Sequence, residues 1–320
     1  MSTAGPIRIA TRSSDLALYQ ANLVKSMLES HGHTAELVTF KTVGDKKLDE
    51  PLSAIGAKGL FTKELEAALG KGRVDCCVHS LKDLPTESPE GLAVGAVLKR
   101  EDPRDVLVIG DIAQAESLDE LPRGSRVGTS SLRRRAQLAA RRKDLDIVEL
   151  RGNVPTRIKK VDTGVVHAAI LAAAGLHRLG VSQRITATLD APEWLPAPGQ
   201  GAIAVQIRSD DARMREITAR LNDARTHTDV RAERAFLGAL EGGCQVPIGA
   251  LVMPRGDGYV LHGLIADLEG QRVVRGEIAL DERDPELSGV RLANRLRGEG
   301  ATEILEELRR AQRLPSPQPE

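Results

Sequence analysis

Aromatic side chains are scarce: one Trp, two Tyr and three Phe in 320 residues. Binding to single-stranded nucleic acid relies on aromatic faces for stacking, so that function is disfavoured at once. Net charge is also missing, because 45 Lys and Arg balance 45 Asp and Glu. The molecule as a whole attracts no polyanion. There are only three cysteines, and Cys76 and Cys77 are adjacent. They make neither a disulfide framework nor a CxxC pattern, so no metal is expected and a reduced cytoplasm fits best. The longest apolar run, 165–176, contains His167 and is too short to span a bilayer, so no membrane partner is expected. The first twenty residues lack a basic flank followed by an apolar core, so no signal peptide is expected. No GxxxxGK[ST] loop is present, which argues against phosphate-loop enzymes.

Length and local pattern say more. A chain of this length suggests two or three domains. Apolar residues at helical spacing (Leu16, Tyr19, Leu23 and Met27, widened by Val24 and Leu28) predict a helix from Asp15 to the His31-Gly32 stop. Short strands are expected at 7–10, 35–40, 75–80, 106–109, 147–150, 168–172 and 202–208. Hydroxyl-rich turns after the first strand and after Val127-Gly128 lead into amphipathic helices. From about Asn222 the pattern changes to a helix, a glycine-bearing loop, three antiparallel strands and a terminal helical pair. The expected fold class is therefore α/β: two lobes around a cleft (1–103 with 200–220, and 104–199), then a small α+β C-terminal domain over 221–320. The stretch Pro196-Ala-Pro-Gly-Gln-Gly201 reads as a linker. Tyr19, Phe40 and Phe236 read as core, as do Cys76 and Cys77.

Charge is uneven. Residues 123–160 hold twelve Lys or Arg against three acids, which predicts an anionic ligand met at one place. Ligands of open α/β sheets bind beyond the carboxyl ends of the strands. Arg12–Ser14, Ser80–Asp83, Thr129–Arg134, Arg151 and Arg178 fall there. Helix N-termini near Ser14 and Ser131 offer unpaired N–H groups to an anion. Arg133 and Arg134 stand in a helix first turn, where cations oppose the helix dipole, and a bound anion would explain the conflict. Arg135, Arg141, Arg142 and Lys143 read as a solvated face. Asp83 is the one acid placed among these cations, suited to stabilising a cation that forms on a substrate and to moving protons. Cys244, between Gly242-Gly243 and Gln245-Val-Pro247, sits on a tight loop where a ligand can reach its sulfur.

These stretches resemble the porphobilinogen deaminase family. The likeness is carried by RIATRSSDLALYQ, GAKGLFTKELE, VHSLKDLP, REDPRD, VGTSSLRRRAQL, LRGNVPTR, LAAAGLHRLG, PAPGQGA and LEGGCQVPIGA, in order over most of the chain. Ala54 departs, standing where the family often has a lysine. The resemblance implies two periplasmic-binding-protein-like lobes and a third domain bearing the cysteine. It implies head-to-tail condensation of four porphobilinogen units with loss of ammonia, giving linear hydroxymethylbilane for tetrapyrrole synthesis. It implies a dipyrromethane cofactor attached through Cys244, with Asp83 catalytic. Ser80, Lys82, Thr129, Ser131, Arg133, Arg134 and Arg157 are then expected at the cofactor. Arg12, Ser14, Gln20, Lys58, Phe61, Arg151 and Arg178 are expected at the incoming unit, the growing chain or the closing lid. The partners implied are porphobilinogen and its oligomers, met by a monomer. A non-enzymatic anion receptor is the rejected rival.

Overall fold

The computed structural model describes residues 5–42, 44, 61–241 and 246–313, the last three as backbone only. Strand β1 (Ile7–Arg12) leads to helix α1 (Asp15–Ser30), β2 (Ala35–Phe40), α2 (Lys63–Gly70), β3 (Cys76–Ser80) and β4 (Leu92–Val97). The chain then crosses to β5 (Asp105–Ile109), β6 (Arg126–Gly128), α3 (Leu132–Arg141), β7 (Asp146–Val148), α4 (Val154–Asp162), β8 (Ala168–Ala172), α5 (Ala173–Arg178) and β9 (Ala187–Leu189). It returns as β10 (Ile203–Arg208) and α6 (Ala212–Ala219). The final part is α7 (Ala224–Ala239), β11 (Ile248–Arg255), β12 (Gly258–Ala266), β13 (Val273–Ala279), α8 (Pro285–Leu296) and α9 (Thr302–Arg313).

Two five-stranded sheets share one design. The first has the order β2-β1-β3-β10-β4 and the second β7-β6-β8-β5-β9. In each, the first three strands are parallel and the fourth is antiparallel to its neighbours. That fourth strand is the one that has just crossed from the other lobe: β10 on return, β5 on departure. The two crossings therefore enter the middle of each sheet, and both lobes point the carboxyl ends of their parallel strands at the crossings. This is the expected α/β class.

Strand period explains the third part. Along β11 and β12, Ala250, Val252, Leu261 and Ile265 face Phe236, Leu292 and Leu296 of the helices, while Leu251, Leu264 and Ala266 face Ala136 of α3 and Leu195. Alternation puts successive residues on opposite faces, so this sheet is packed on both. Its second face rests directly on the second lobe.

Some expectations need correction. Helix α1 buries Gln20, Ala21, Val24 and Leu28, whereas Tyr19 and Leu23 are exposed. The apolar stripe is wider than the buried one, and Gln20 takes the place expected of Tyr19. Phe236 is core, and Phe40 is a half-buried neighbour of the α2 cluster. Cys76 and Cys77 are fully buried, and burial drives both thiols up, Cys76 to about 12. Helix α4 forms where no helix was expected, capped by Asn153, whose side chain accepts from the Thr156 N–H, with Pro155 in its first turn.

Candidate active site

Two structures in the sequence Ser80-Leu-Lys-Asp83 set the site. Strand β3 ends at Ser80, and one 3-10 turn carries Leu81–Asp83. Pro85 bars a longer helix. Leu81 and Leu84 are buried with Val230 of α7 beneath them. The Leu81 N–H donates to Ala202 O at 3.0 Å. Arg234 of α7 donates to the carbonyls of Leu84, Pro85 and Thr86 at 3.1, 2.6 and 3.1 Å. The third domain thus grips the backbone that follows Asp83. Lys82 and Asp83 are left half-buried at the tip.

Asp83 is the meeting point of two groups. On one side it lines a pocket with Arg12, Ser14, Gln20, Phe61, Ser80 and His79. Ser14 caps α1, accepting from the Ala17 N–H. Gln20 Nε2 donates to Ser80 Oγ at 2.9 Å, and the Arg12 guanidinium lies 4.2 Å from the Phe61 ring centroid. On the other side Asp83 attracts Lys82 and Arg157, and these two lie in the field of Arg133, Arg134 and Arg151. Burial pulls the Lys82 ammonium down to about 8, with Asp83 opposing and Arg134 adding to the fall. Burial, then Arg134 and Arg151, draw Arg157 down to about 10. Asp83 itself makes no hydrogen bond to the described residues.

The acid that sequence reasoning missed is Asp105. It is completely buried at the start of β5. Arg133 Nη1 donates to its Oδ2 at 2.6 Å, and Arg134 Nη2 and Nε donate to Oδ1 at 2.7 and 3.1 Å. Trp194 Nε1 and Gln200 Nε2 add bonds of 2.8 Å each. This corrects two expectations. Asp105 already gives the arginines in the first turn of α3 a carboxylate partner, so an incoming anion is not needed to explain their place there. Asp83 is not the lone acid among the cations. The cluster still holds five cations, Lys82, Arg133, Arg134, Arg151 and Arg157, against the two carboxylates. Arg133 Nε and Arg151 Nη1 are buried with no hydrogen-bond partner, an unusual and costly state for a charged group.

Residues 7–216 match the family model "Porphobilinogen deaminase, dipyromethane cofactor binding domain", and residues 227–298 match "Porphobilinogen deaminase, C-terminal domain". The chain belongs to the porphobilinogen deaminase family. Porphobilinogen deaminase of Moorella thermoacetica is 50% identical over 95% of this chain and 96% of that one. The protein of that name from Xanthomonas euvesicatoria pv. vesicatoria is 49% identical over 94% of this chain and 99% of its own. Among solved structures, the methionine binding protein MetQ covers 73% of this chain and 94% of its own at 16% identity, with a TM-score of 0.44, too low to argue from.

Within this porphobilinogen deaminase fold the remaining expected residues divide. Thr129 Oγ1 accepts from the Ser131 N–H at 3.1 Å, and Ser131 caps α3, so both hydroxyls serve the local turn. Arg178 donates to Gly201 O at 2.6 Å and stands at the return crossing, outside the pocket. Gly201 has φ +88°, and a Cβ there would collide with Glu101 O, so the crossing needs glycine. Arg142 is not a solvated side chain: it bonds Asp144 and the carbonyls of Leu118, Asp119 and Leu121. Cys244, Lys58 and Ala54 lie outside the described residues. Among the described residues no helix is long and apolar enough to cross a membrane, and no group of His, Cys, Asp and Glu could hold a metal.

Proposed function

We propose that the protein condenses four porphobilinogen molecules head to tail, ammonia leaving at each addition, and releases linear hydroxymethylbilane. The observation that carries this reading is Asp83: a carboxylate with no hydrogen bond to the described residues, fixed on a rigid turn between a small pocket and a cation cluster. Porphobilinogen bears two carboxylates and an aminomethyl group. Arg12 and Ser14 would take carboxylate in the pocket. Asp83 would stabilise positive charge as the amine leaves and would move protons there. A pure anion receptor gains nothing from a carboxylate in that position. A nucleic-acid binder would spread its cations over a surface, but Arg133 and Arg134 are 4% and 5% exposed.

The residues present fit a bound polyanion. The unpartnered Arg133 Nε and Arg151 Nη1 and the surplus of cations would be satisfied by ligand carboxylates. Lys82, Arg133, Arg134, Arg151 and Arg157 would hold a dipyrromethane attached through Cys244. When bound, that group supplies the end from which the chain is primed. Thr129 and Ser131 would support it through the α3 turn, and Ser80, Gln20, Phe61, Lys58 and Arg178 would serve the incoming unit or the lengthening chain. The protein would work as a monomer in the cytoplasm, without nucleic-acid or membrane partners.

Two measurements test this. Purified protein should exceed its sequence mass by two linked pyrroles, and should consume porphobilinogen with stoichiometric ammonia release. Failure to consume porphobilinogen overturns the activity. Full activity at the bare sequence mass overturns the cofactor assignment.

A further inference from the structure

Behind the pocket runs a polar chain that no role above uses. Thr62 Oγ1 donates to Glu66 Oε2 at 3.1 Å. Gln206 Nε2 donates to Glu66 Oε1 at 3.1 Å. Gln206 Oε1 meets His79 Nε2 at 3.1 Å. All four side chains are buried: Thr62 at 0%, Gln206 at 1%, His79 at 5% and Glu66 at 9% exposed. Threading a carboxylate, an amide and an imidazole through a sheet interior is expensive unless each proton is placed.

The amide sets the directions: Gln206 turns its NH2 to Glu66 and its oxygen, which can only accept, to His79. The His79 proton then sits on Nε2, and Nδ1 carries a lone pair. Nδ1 has no protein partner among the described residues, and His79 lines the pocket with Arg12, Ser14, Phe61 and Asp83. Every other neutral polar side chain there can donate. Porphobilinogen itself brings N–H donors, the ring nitrogen and the aminomethyl group, as well as its acids.

Resting on the activity proposed above, we infer that His79 is a substrate-positioning residue whose Nδ1 accepts a hydrogen bond from an N–H of the incoming pyrrole. Glu66 and Gln206 set its tautomer. Of the charged groups around it, Arg12 from β1 acts on the ring, Asp83 from the turn after β3 shares the pocket, and Glu66 from α2 is joined to it through Gln206. Burial, then Arg12, hold the imidazole neutral, at about 4, with Gln206 opposing. A neutral acceptor orients a ligand N–H without repelling an ammonium and without competing with Arg12 for carboxylate.

The test uses holoenzyme whose cofactor load is verified by intact mass. Wild-type turnover of porphobilinogen is the control, so a failed activity assignment shows there and not in the variants. His79→Leu should raise KM about tenfold, the worth of one lost hydrogen bond to a ligand, with kcat changed less than twofold. His79→Asn, which restores an acceptor near Nδ1, should recover most of that loss. In protein labelled with 15N-histidine, Nδ1 of His79 should resonate as an unprotonated nitrogen and shift on addition of a non-reacting pyrrole dicarboxylate. An unchanged KM in properly loaded His79→Leu, or a protonated Nδ1 in the free enzyme, overturns the inference. A fall in kcat alone would also overturn it, because that is the mark of a purely structural role.

Discussion

Asp105→Asn is the sharpest perturbation available. Five donor atoms converge on this carboxylate, and none of it is exposed. Burial pushes its carboxyl up, but Arg133 and Arg134 overrule that and hold it well below the usual range. Asparagine removes the charge and turns an NH2 toward one set of donors. Removing one partner from a buried ion pair costs about 3–5 kcal/mol. With about 2.1 cal/mol/K of unfolding entropy per residue over 320 residues, Tm should fall by roughly 4–7 °C if the chain melts as one unit.

The pH dependence gives a second check. A carboxylate with a depressed folded pKa contributes stability above its unfolded value and loses it as pH falls through the folded one. The gap between wild type and Asp105→Asn should therefore stay constant from about pH 5 to 8 and narrow only in acid. Calorimetry on cofactor-free protein is the assay, since bound ligand carboxylates would partly replace the missing charge. A Tm loss below about 1 °C, or a gap that widens between pH 5 and 8, would refute the shared-carboxylate reasoning.

Asp83→Asn should melt within about 0.5 kcal/mol of wild type, because no described group bonds the carboxylate, yet ammonia release should drop about a hundredfold or more. Near-normal release would remove Asp83 from the chemistry. Cofactor loading of the cofactor-free protein should decline as pH rises through about 8, where Lys82 loses its proton, and Lys82→Arg should abolish that decline because arginine stays charged; an unaltered profile counts against a role for Lys82. Glu233→Gln should lower the urea midpoint by an amount worth about 3–5 kcal/mol, since Glu233 is fully buried and takes Arg100 at 2.7 and 3.0 Å. No shift in the midpoint would mean that this pair does not join the domains.

Periodicity explains why most of the fold was legible. Short apolar strands alternate with helical stripes, and the change after residue 222 marks the third domain. The helix starts near Ser14 and Ser131 were visible because hydroxyls precede apolar runs there. Helix α4 was missed because its nine residues carry only a brief apolar pattern, although Asn153 and Pro155 are start signals. Asp105 was invisible for another reason. One acid among three in Glu101–Asp105 gives no local sign that it faces α3, 28 residues on. Its partners Trp194 and Gln200 lie farther on in the same direction, 89 and 95 residues away. Partners chosen by sheet order, not by spacing, escape any reading along the chain, and the His79–Gln206–Glu66 relay escaped in the same way.

The stretch that read as a linker has more to do than join. Gln200 accepts from Lys82 Nζ at 3.2 Å and donates to Asp105 at 2.8 Å. Its backbone carbonyl takes Arg100 Nε at 2.8 Å, and Arg100 holds Glu233, which also accepts from the N–H groups of Gly199 and Val252. One side chain therefore touches the first lobe's Leu81–Asp83 turn and the acid that holds the second lobe's arginines, while its backbone is tied to the third domain. All of these groups are buried or half-buried, so their bonds cannot be exchanged for water without cost. Any hinge motion between the lobes must break or carry this set together. The cation cluster is thus positioned by the crossing itself.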